Sequence, residues 1–431
     1  MPSRLTTSRA PSSLLFAALA LALACGHADA RKAASRGTCL SMTEVASRSP
    51  SQIDAMTAAF GVEAQLFPPA VCGATQYRLT YQTVAPDGSP AVASAGLVVP
   101  AGCQGPFPLV EYNHGTWTSN TLSMSDPTMH TSQEVMGQFA AFGYAAVMPD
   151  YLGYGASTLG YHPYLDARSN ADVTMDAVRA ARACLAGAKP GLADQLFLTG
   201  TSEGGFVTMA TQRAMEGLAT SEFQIAAVVA TSGPYALADS TMEMLQNNDG
   251  VPGYAWMQLQ GYQDSYGDLY ARPTDIFQQP YATEPGFEDL LPNRQSMARL
   301  THDGLLPSML EGRNGLLTSA FVQRYLANPA EPARVHVEAN DLRTFAPQSP
   351  LAVCYGAKDP QAMSNGQAAA AYFLTRGVSI TSTDIETIPA LQQFIAQMGN
   401  QDYHGNVEAP ACTAWARQAM FDPLRAAVRA R

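Results

Sequence analysis

The sequence predicts an α/β architecture: a mostly parallel central sheet flanked by helices and interrupted once by a helical insertion. Three observations carry this. Short buried-strand runs alternate with helical stretches, a Gly-X-Ser-X-Gly segment sits between one such strand and one such helix, and the strand rhythm stops and then resumes late in the chain. With 431 residues, 47% hydrophobic and only 14% charged, the chain can bury a large core. It shows neither an internal repeat nor a long low-complexity tract beyond its leader.

The first thirty residues differ from the rest. Arg4 and Arg9 precede an apolar run from Leu14 to Ala24, and small residues end in Ala28-Asp29-Ala30, which reads as a signal peptide over 1–30 cleaved after Ala30. The apolar run is too short for a membrane anchor, which needs about 20 residues, and no other stretch is long and apolar enough to span. Leu21-Ala22-Leu23-Ala24-Cys25 loosely matches a lipoprotein signal that would anchor the chain through Cys25, but Ala22 and Leu23 fit it poorly. Export, whether to the periplasm or beyond, places Cys39, Cys72, Cys103, Cys184, Cys354 and Cys412 in an oxidising compartment, where up to three disulfides are expected. None of these cysteines is closely paired as in a zinc site. A net charge of −11 argues against nucleic acid as a partner and against electrostatic adhesion to an anionic membrane.

Residues 76–84 and 91–99 flank Pro86-Asp87-Gly88 and read as two antiparallel strands entering the sheet. Phe107 to Tyr112, Tyr144 to Met148, Gln195 to Leu198 and Ile225 to Val229 are buried-strand runs. Between them, Ser132 to Phe142, Asp172 to Ala186 and Glu203 to Met215 have the composition of crossover helices. From Asp239 to Ala346 only helical segments broken by Pro and Gly are legible. Strands resume at Leu351 to Tyr355 and Ser379 to Thr387, and a last helical stretch from Ala411 to Val428 is expected to bend near Pro423. The expected organisation is a core over 31–238, a helical cap over 239–346 and the rest of the core over 347–431.

Gly200-Thr201-Ser202-Glu203-Gly204 lies where a strand gives way to a helix. A nucleophilic serine needs a sharp, strained turn there, and the glycines make room for it. Upstream, a strand runs into His114-Gly115-Thr116-Trp117, where the Thr116 N–H would serve as one oxyanion donor and the Glu203 N–H, at a helix N-terminus, as the second. His114 is read as holding this loop by hydrogen bonds. A serine nucleophile also needs a base and an orienting acid, in the chain order serine, acid, histidine. His302, His336 and His404 follow Ser202; the first two fall in the expected cap, which leaves His404, in a loop between the last strand and the last helix. The acid should follow a late strand, and Asp359 does so after a glycine turn. Asp402 lies too close in sequence to His404, Asp239 follows an earlier strand, and Asp150 reads as a structural turn residue. Trp117, Trp256 and Met257 are expected to line the substrate pocket.

Tyr112-Asn-His-Gly115, Pro149-Asp-Tyr-Leu-Gly-Tyr-Gly155, Gly200-Thr-Ser-Glu-Gly-Gly205 and Tyr355-Gly-Ala-Lys-Asp359, together with a cap after the strand that follows Ser202, resemble the α/β-hydrolase superfamily. Within it they resemble the secreted bacterial lipase and esterase group related to fungal secretory lipases. The resemblance covers nearly the whole mature chain. It implies an α/β-hydrolase fold and hydrolysis of a small or lipid-like ester through an acyl-enzyme, with no cofactor and no metal. Thr201-Ser202-Glu203 departs from elbows that carry His or Tyr before the serine and Gln after it, which leaves the acyl preference open. The strand neighbours of that superfamily imply a Cys103 to Cys184 disulfide, with Cys39 to Cys72 and Cys354 to Cys412 following from it. A serine peptidase or an acyltransferase would use the same triad, and an inactive binding protein is the remaining alternative.

Overall fold

The structure is a computed structural model in which residues 36–248, 250–279, 281–282, 315–399 and 402–429 are described. The expected signal peptide, Cys25 and His302 lie outside them, as does the stretch 283–314 of the expected cap. Apart from Arg36, the described residues fall within one compact unit, Gly37–Arg431.

Nine strands form one sheet: β1 (Cys39–Arg48), β2 (Gly73–Val84), β3 (Pro90–Ala101), β4 (Phe107–Asn113), β5 (Ala145–Pro149), β6 (Leu192–Thr201), β7 (Gln224–Thr231), β8 (Leu351–Tyr355) and β9 (Thr381–Asp384). Their order is β1-β2-β3-β5-β4-β6-β7-β8-β9. The first three are antiparallel to their neighbours, and every pair from β5 to β9 is parallel. The central strands are apolar on both faces because both faces are covered. Along β6, Leu196 and Leu198 join one core and Phe197 the other; along β4, Leu109 alternates with Val110 in the same way.

The helices are α1 (Pro50–Ala58), α2 (His130–Gln138), α3 (Ala167–Cys184), α4 (Glu203–Glu216), α5 (Leu237–Asn247), α6 (Pro252–Tyr266), α7 (Ser319–Ala327), α8 (Pro332–Ala339), α9 (Pro360–Thr375), α10 (Gln392–Met398), α11 (Ala409–Trp415) and α12 (Asp422–Arg429). Asp166 caps α3 by accepting a hydrogen bond from the Ser169 N–H at 3.1 Å. Among the described residues between β7 and β8 lie helices α5 to α8. Proline in the first turn starts α6 and α8, and Gly267, at φ 77°, ends α6. The irregularity expected near Pro423 is a π-helical stretch, Ala416–Phe421, just before it. Among the described residues no helix is long and apolar enough to cross a membrane.

Three disulfides form, and two of the expected pairings are wrong. Cys354 pairs with Cys412 as expected, but Cys39 joins Cys184 and Cys72 joins Cys103. Two features explain the correction. The β2–β3 register sets Gly73 opposite Ala101, so the cysteines just outside that hairpin end, Cys72 and Cys103, meet. Strand β1, not expected from the sequence, lies beyond β2, and α3 packs across both, which brings Cys184 to Cys39.

Candidate active site

Ser202 sits between β6 and α4 with φ 61° and ψ −123°, a backbone conformation that costs a non-glycine residue on the order of 1–3 kcal/mol. The neighbouring chain holds it there. The Ser202 N–H donates to Thr231 O at 2.8 Å, and the N–H groups of Gly205 and Phe206 both return to Ser202 O. The glycines are required by close approach: a Cβ on Gly204 would stand 2.1 Å from Asn113 O, and one on Gly205 2.3 Å from Thr231 O. The elbow is therefore wedged between β4 and β7.

Asp359 lies in the loop after β8, whereas His404, expected in a loop, lies beyond β9 in a helical turn that leads into α11. Asp359 closes a turn with its N–H on Gly356 O at 3.0 Å. His404 is the second residue of the π-helical stretch Tyr403–Glu408, entered through Asp402 at φ 37°, and the Tyr403 hydroxyl donates to Glu386 at 2.7 Å. The His404 Nδ1 lies 2.5 Å from Asp359 Oδ2. Ser202, Glu203, Asp359 and His404 all line one cavity of about 340 Å³. The other acids take different roles. Asp402 accepts from Gly405 N, Asp239 pairs with Arg343, and Asp150 accepts from Ser94, Ser123 and Met124 inside the protein. His336 pairs with Asp268.

The Thr116 loop lies beside the elbow. A Cβ on Gly115 would reach within 3.5 Å of Ser202 Cβ, and the Thr116 hydroxyl meets Tyr164 Oη at 3.0 Å. His114 is buried, with its ring nitrogens 2.7 Å from Gly115 O and 3.3 Å from Asp150 O and its face stacked on Trp117 at 3.5 Å. Burial pushes it down to about 3, so it stays neutral.

The helices between β7 and β8 supply part of the cavity wall. Leu237, Ser240, Thr241 and Met244 line it from α5, and Tyr254, Ala255 and Gln258 from α6. Both sets follow helical spacing. Trp117, Trp256 and Met257, expected to line it, are not among its lining residues: Trp256 and Met257 are buried in the apolar core, and Trp117 stacks on His114.

Two features of the site had no signal in the sequence, the pairing of Glu203 with His162 and the burial of Glu408. Glu203 meets His162, Nε2 to Oε1, at 2.5 Å, with the side chains 0% and 1% exposed. Glu408 is buried beside Asp359 and His404, with one oxygen or nitrogen from each of the three within 4.8 Å of the others. Burial first, and the Asp359 charge second, push Glu408 up to about 9 from an ordinary 4.5. A carboxyl raised in the folded state contributes stability that is fully present below about pH 4.5 and is lost as pH rises toward 9. Glu408→Gln keeps the shape without the proton, so its melting temperature should gain on the wild type steadily as pH increases across that window. Parallel melting curves at every pH would show that Glu408 does not hold the proton.

A scan of protein-family models and a search of curated proteins find no match. Solved structures do match. The rice cell wall degrading esterase LipA from Xanthomonas oryzae is 30% identical, with TM-score 0.77 over 90% of this chain and 100% of that one. A protein from Legionella pneumophila, 20% identical, has TM-score 0.70 over 88% and 98% of the two chains. Candida antarctica lipase A, 14% identical, has TM-score 0.55 over 92% and 91%. These last two share the fold. Because the likeness to LipA holds at 30% identity over 90% of this chain and 100% of that one, this chain belongs to the α/β-hydrolase family of esterases and lipases.

Proposed function

We propose that this protein is an exported serine esterase that cleaves carboxylic esters through an acyl-enzyme, with Ser202 as nucleophile, His404 as base and Asp359 as orienting acid. The observation that carries the reading is the placement of Ser202, on a strained elbow, in the same cavity as a histidine whose Nδ1 is held by a carboxylate. Asp359 accepts the Nδ1–H, so the lone pair of His404 is on Nε2, where it takes the Ser202 proton as Oγ attacks the ester carbonyl. The N–H groups of Thr116 and Glu203 receive the developing oxyanion. Glu203 heads α4, so its N–H has no acceptor within the helix. The protonated His404 then releases the alcohol, and water repeats the sequence on the acyl-enzyme.

The similarity to a cell wall degrading esterase supports an ester as substrate. The cavity of about 340 Å³ is at the small end of ligand sites, which fits an acyl group of short to medium length. The three disulfides fit export after removal of residues 1–30. The segment 239–346 is the cap, and Met244 and Tyr254 are its contacts to the acyl chain. The discriminating test is a panel of p-nitrophenyl esters set against aminoacyl anilides, after labelling with a fluorophosphonate. Labelling with hydrolysis of the esters alone is expected, and Met244→Ala should shift the chain-length ranking. Faster cleavage of the anilides would replace the esterase reading by a peptidase one, and failure to label would remove the serine mechanism.

A further inference from the structure

Away from the Ser202 cavity, the short turn Gly61–Leu66 and α2 bring three potential metal ligands together. His130 and Glu134 are four apart on α2 and so share a helix face. Glu63 reaches them from the turn, with its Oε2 3.1 Å from His130 Nε2. One ligand atom from each of the three lies within 4.8 Å of the others.

The carboxylates are poorly served by protein groups. Glu63 and Glu134 are only 8% and 5% exposed. The Oε1 atoms of both are buried and have no hydrogen-bond partner among the described residues. The Thr413 hydroxyl faces Glu134, and Phe60 packs on the His130 ring at 4.4 Å. Neither brings positive charge. His130, with its side chain 54% exposed, offsets one carboxylate at most and only when protonated. Two buried carboxylates this close repel, and leaving them uncompensated is expensive. A divalent cation satisfies both at once, and the half-exposed imidazole gives it a way in.

We propose that Glu63, His130 and Glu134 form a zinc site that pins the turn Gly61–Leu66 to α2. One imidazole and two carboxylates are a ligand set for zinc, with solvent filling the fourth tetrahedral position. At zinc-ligand distances near 2.0–2.2 Å, tetrahedral ligand atoms stand about 3.4 Å apart. The His130–Glu63 separation of 3.1 Å is close to this before any metal arrives. Calcium, which wants six to eight oxygens, and magnesium, which keeps its waters, fit the set poorly. The competing occupant is a proton: burial and the Glu63 charge push Glu134 up to about 8.

The test uses the full mature protein, stripped with a chelator and titrated calorimetrically with zinc chloride, with calcium and magnesium chlorides as parallel arms. One zinc per chain and a melting temperature raised by a few degrees are expected, with no response to the other two cations. His130→Gln and Glu134→Gln should each weaken zinc binding at least about tenfold while ester hydrolysis by the metal-free protein stays unchanged. Three results would overturn the site: no stoichiometric zinc, equal affinity in both variants, or a calcium or magnesium response as strong as that to zinc. Zinc that binds the variants normally and blocks hydrolysis would be sitting instead on Asp359, His404 and Glu408.

Discussion

Replacing Ser202 by alanine is expected to lower turnover of a p-nitrophenyl ester by about 10⁴- to 10⁶-fold, the loss seen when a member of a serine triad is removed. The size follows from the chemistry. In the proposed mechanism, loss of Oγ removes the acyl-enzyme and leaves only the contribution of the oxyanion donors to direct attack by water. The variant should fold, because the strain at φ 61° is held by backbone bonds to Thr231, Gly205 and Phe206 that alanine keeps. Asp359→Asn should lose less than Ser202→Ala, through the tautomer. An amide can donate to Nδ1, which would move the imidazole proton to Nε2 and remove the base. Turnover is measured on preparations whose thermal unfolding matches the wild type. More than a few per cent of activity in Ser202→Ala would remove Ser202 from the mechanism, whereas a silent Asp359→Asn would remove only the acid.

The sequence made legible what depends on neighbours along the chain. The elbow could be read because its glycines, strand and helix are contiguous, and the central strands because burial on both faces leaves unbroken apolar runs. Strand β1 was not legible for the opposite reason. As an edge strand it exposes Leu40, Met42 and most of its length, so no alternation marks it. That one omission propagated, since without β1 nothing placed Cys39 beside the end of α3. The hairpin pairing of Cys72 with Cys103 was available in principle from the register of the two strands around Asp87-Gly88. In the insertion, the apolar residues of α6 could be read as facing something apolar but not which way. Trp256 and Met257 face the core, and Tyr254 with Gln258 faces the cavity. Glu408 and His162 were invisible because their partners are distant in sequence, and a buried charge declares itself only in three dimensions.

His162→Ala is the second substitution expected to do serious damage, and its target is the elbow's support. His162 Nδ1 lies 2.8 Å from Leu152 O, a pure acceptor, so that nitrogen carries a proton. The other ring nitrogen and Glu203 Oε1 must then share one further proton across 2.5 Å. Whichever atom holds it, the pair is neutral overall and fully inside the protein, which is why it is tolerable there. Glu203 is also the first residue of α4 and the neighbour of Ser202, so the pair ties the elbow to the loop that carries Leu152 and His162. Removing the imidazole strands Glu203 without a partner, a change that costs about 3–5 kcal/mol for a buried pair broken on one side. In chemical denaturation His162→Ala should lose that much stability. In kinetics it should lose on the order of 10²-fold in kcat, with KM little changed, because the Ser202 and Glu203 backbone is displaced rather than the cavity wall. Glu203→Gln separates positioning from bulk packing. Its amide N–H can donate to a neutral Nε2, so it should keep most of the stability and turnover that His162→Ala loses. Adding Glu203→Gln to His162→Ala should recover part of the lost stability, since a neutral side chain is less costly to leave unpaired than a carboxylate. If the two substitutions were instead additive, with no recovery in the double variant, the pair would be two independent packing residues and the elbow would owe its geometry to its backbone bonds alone.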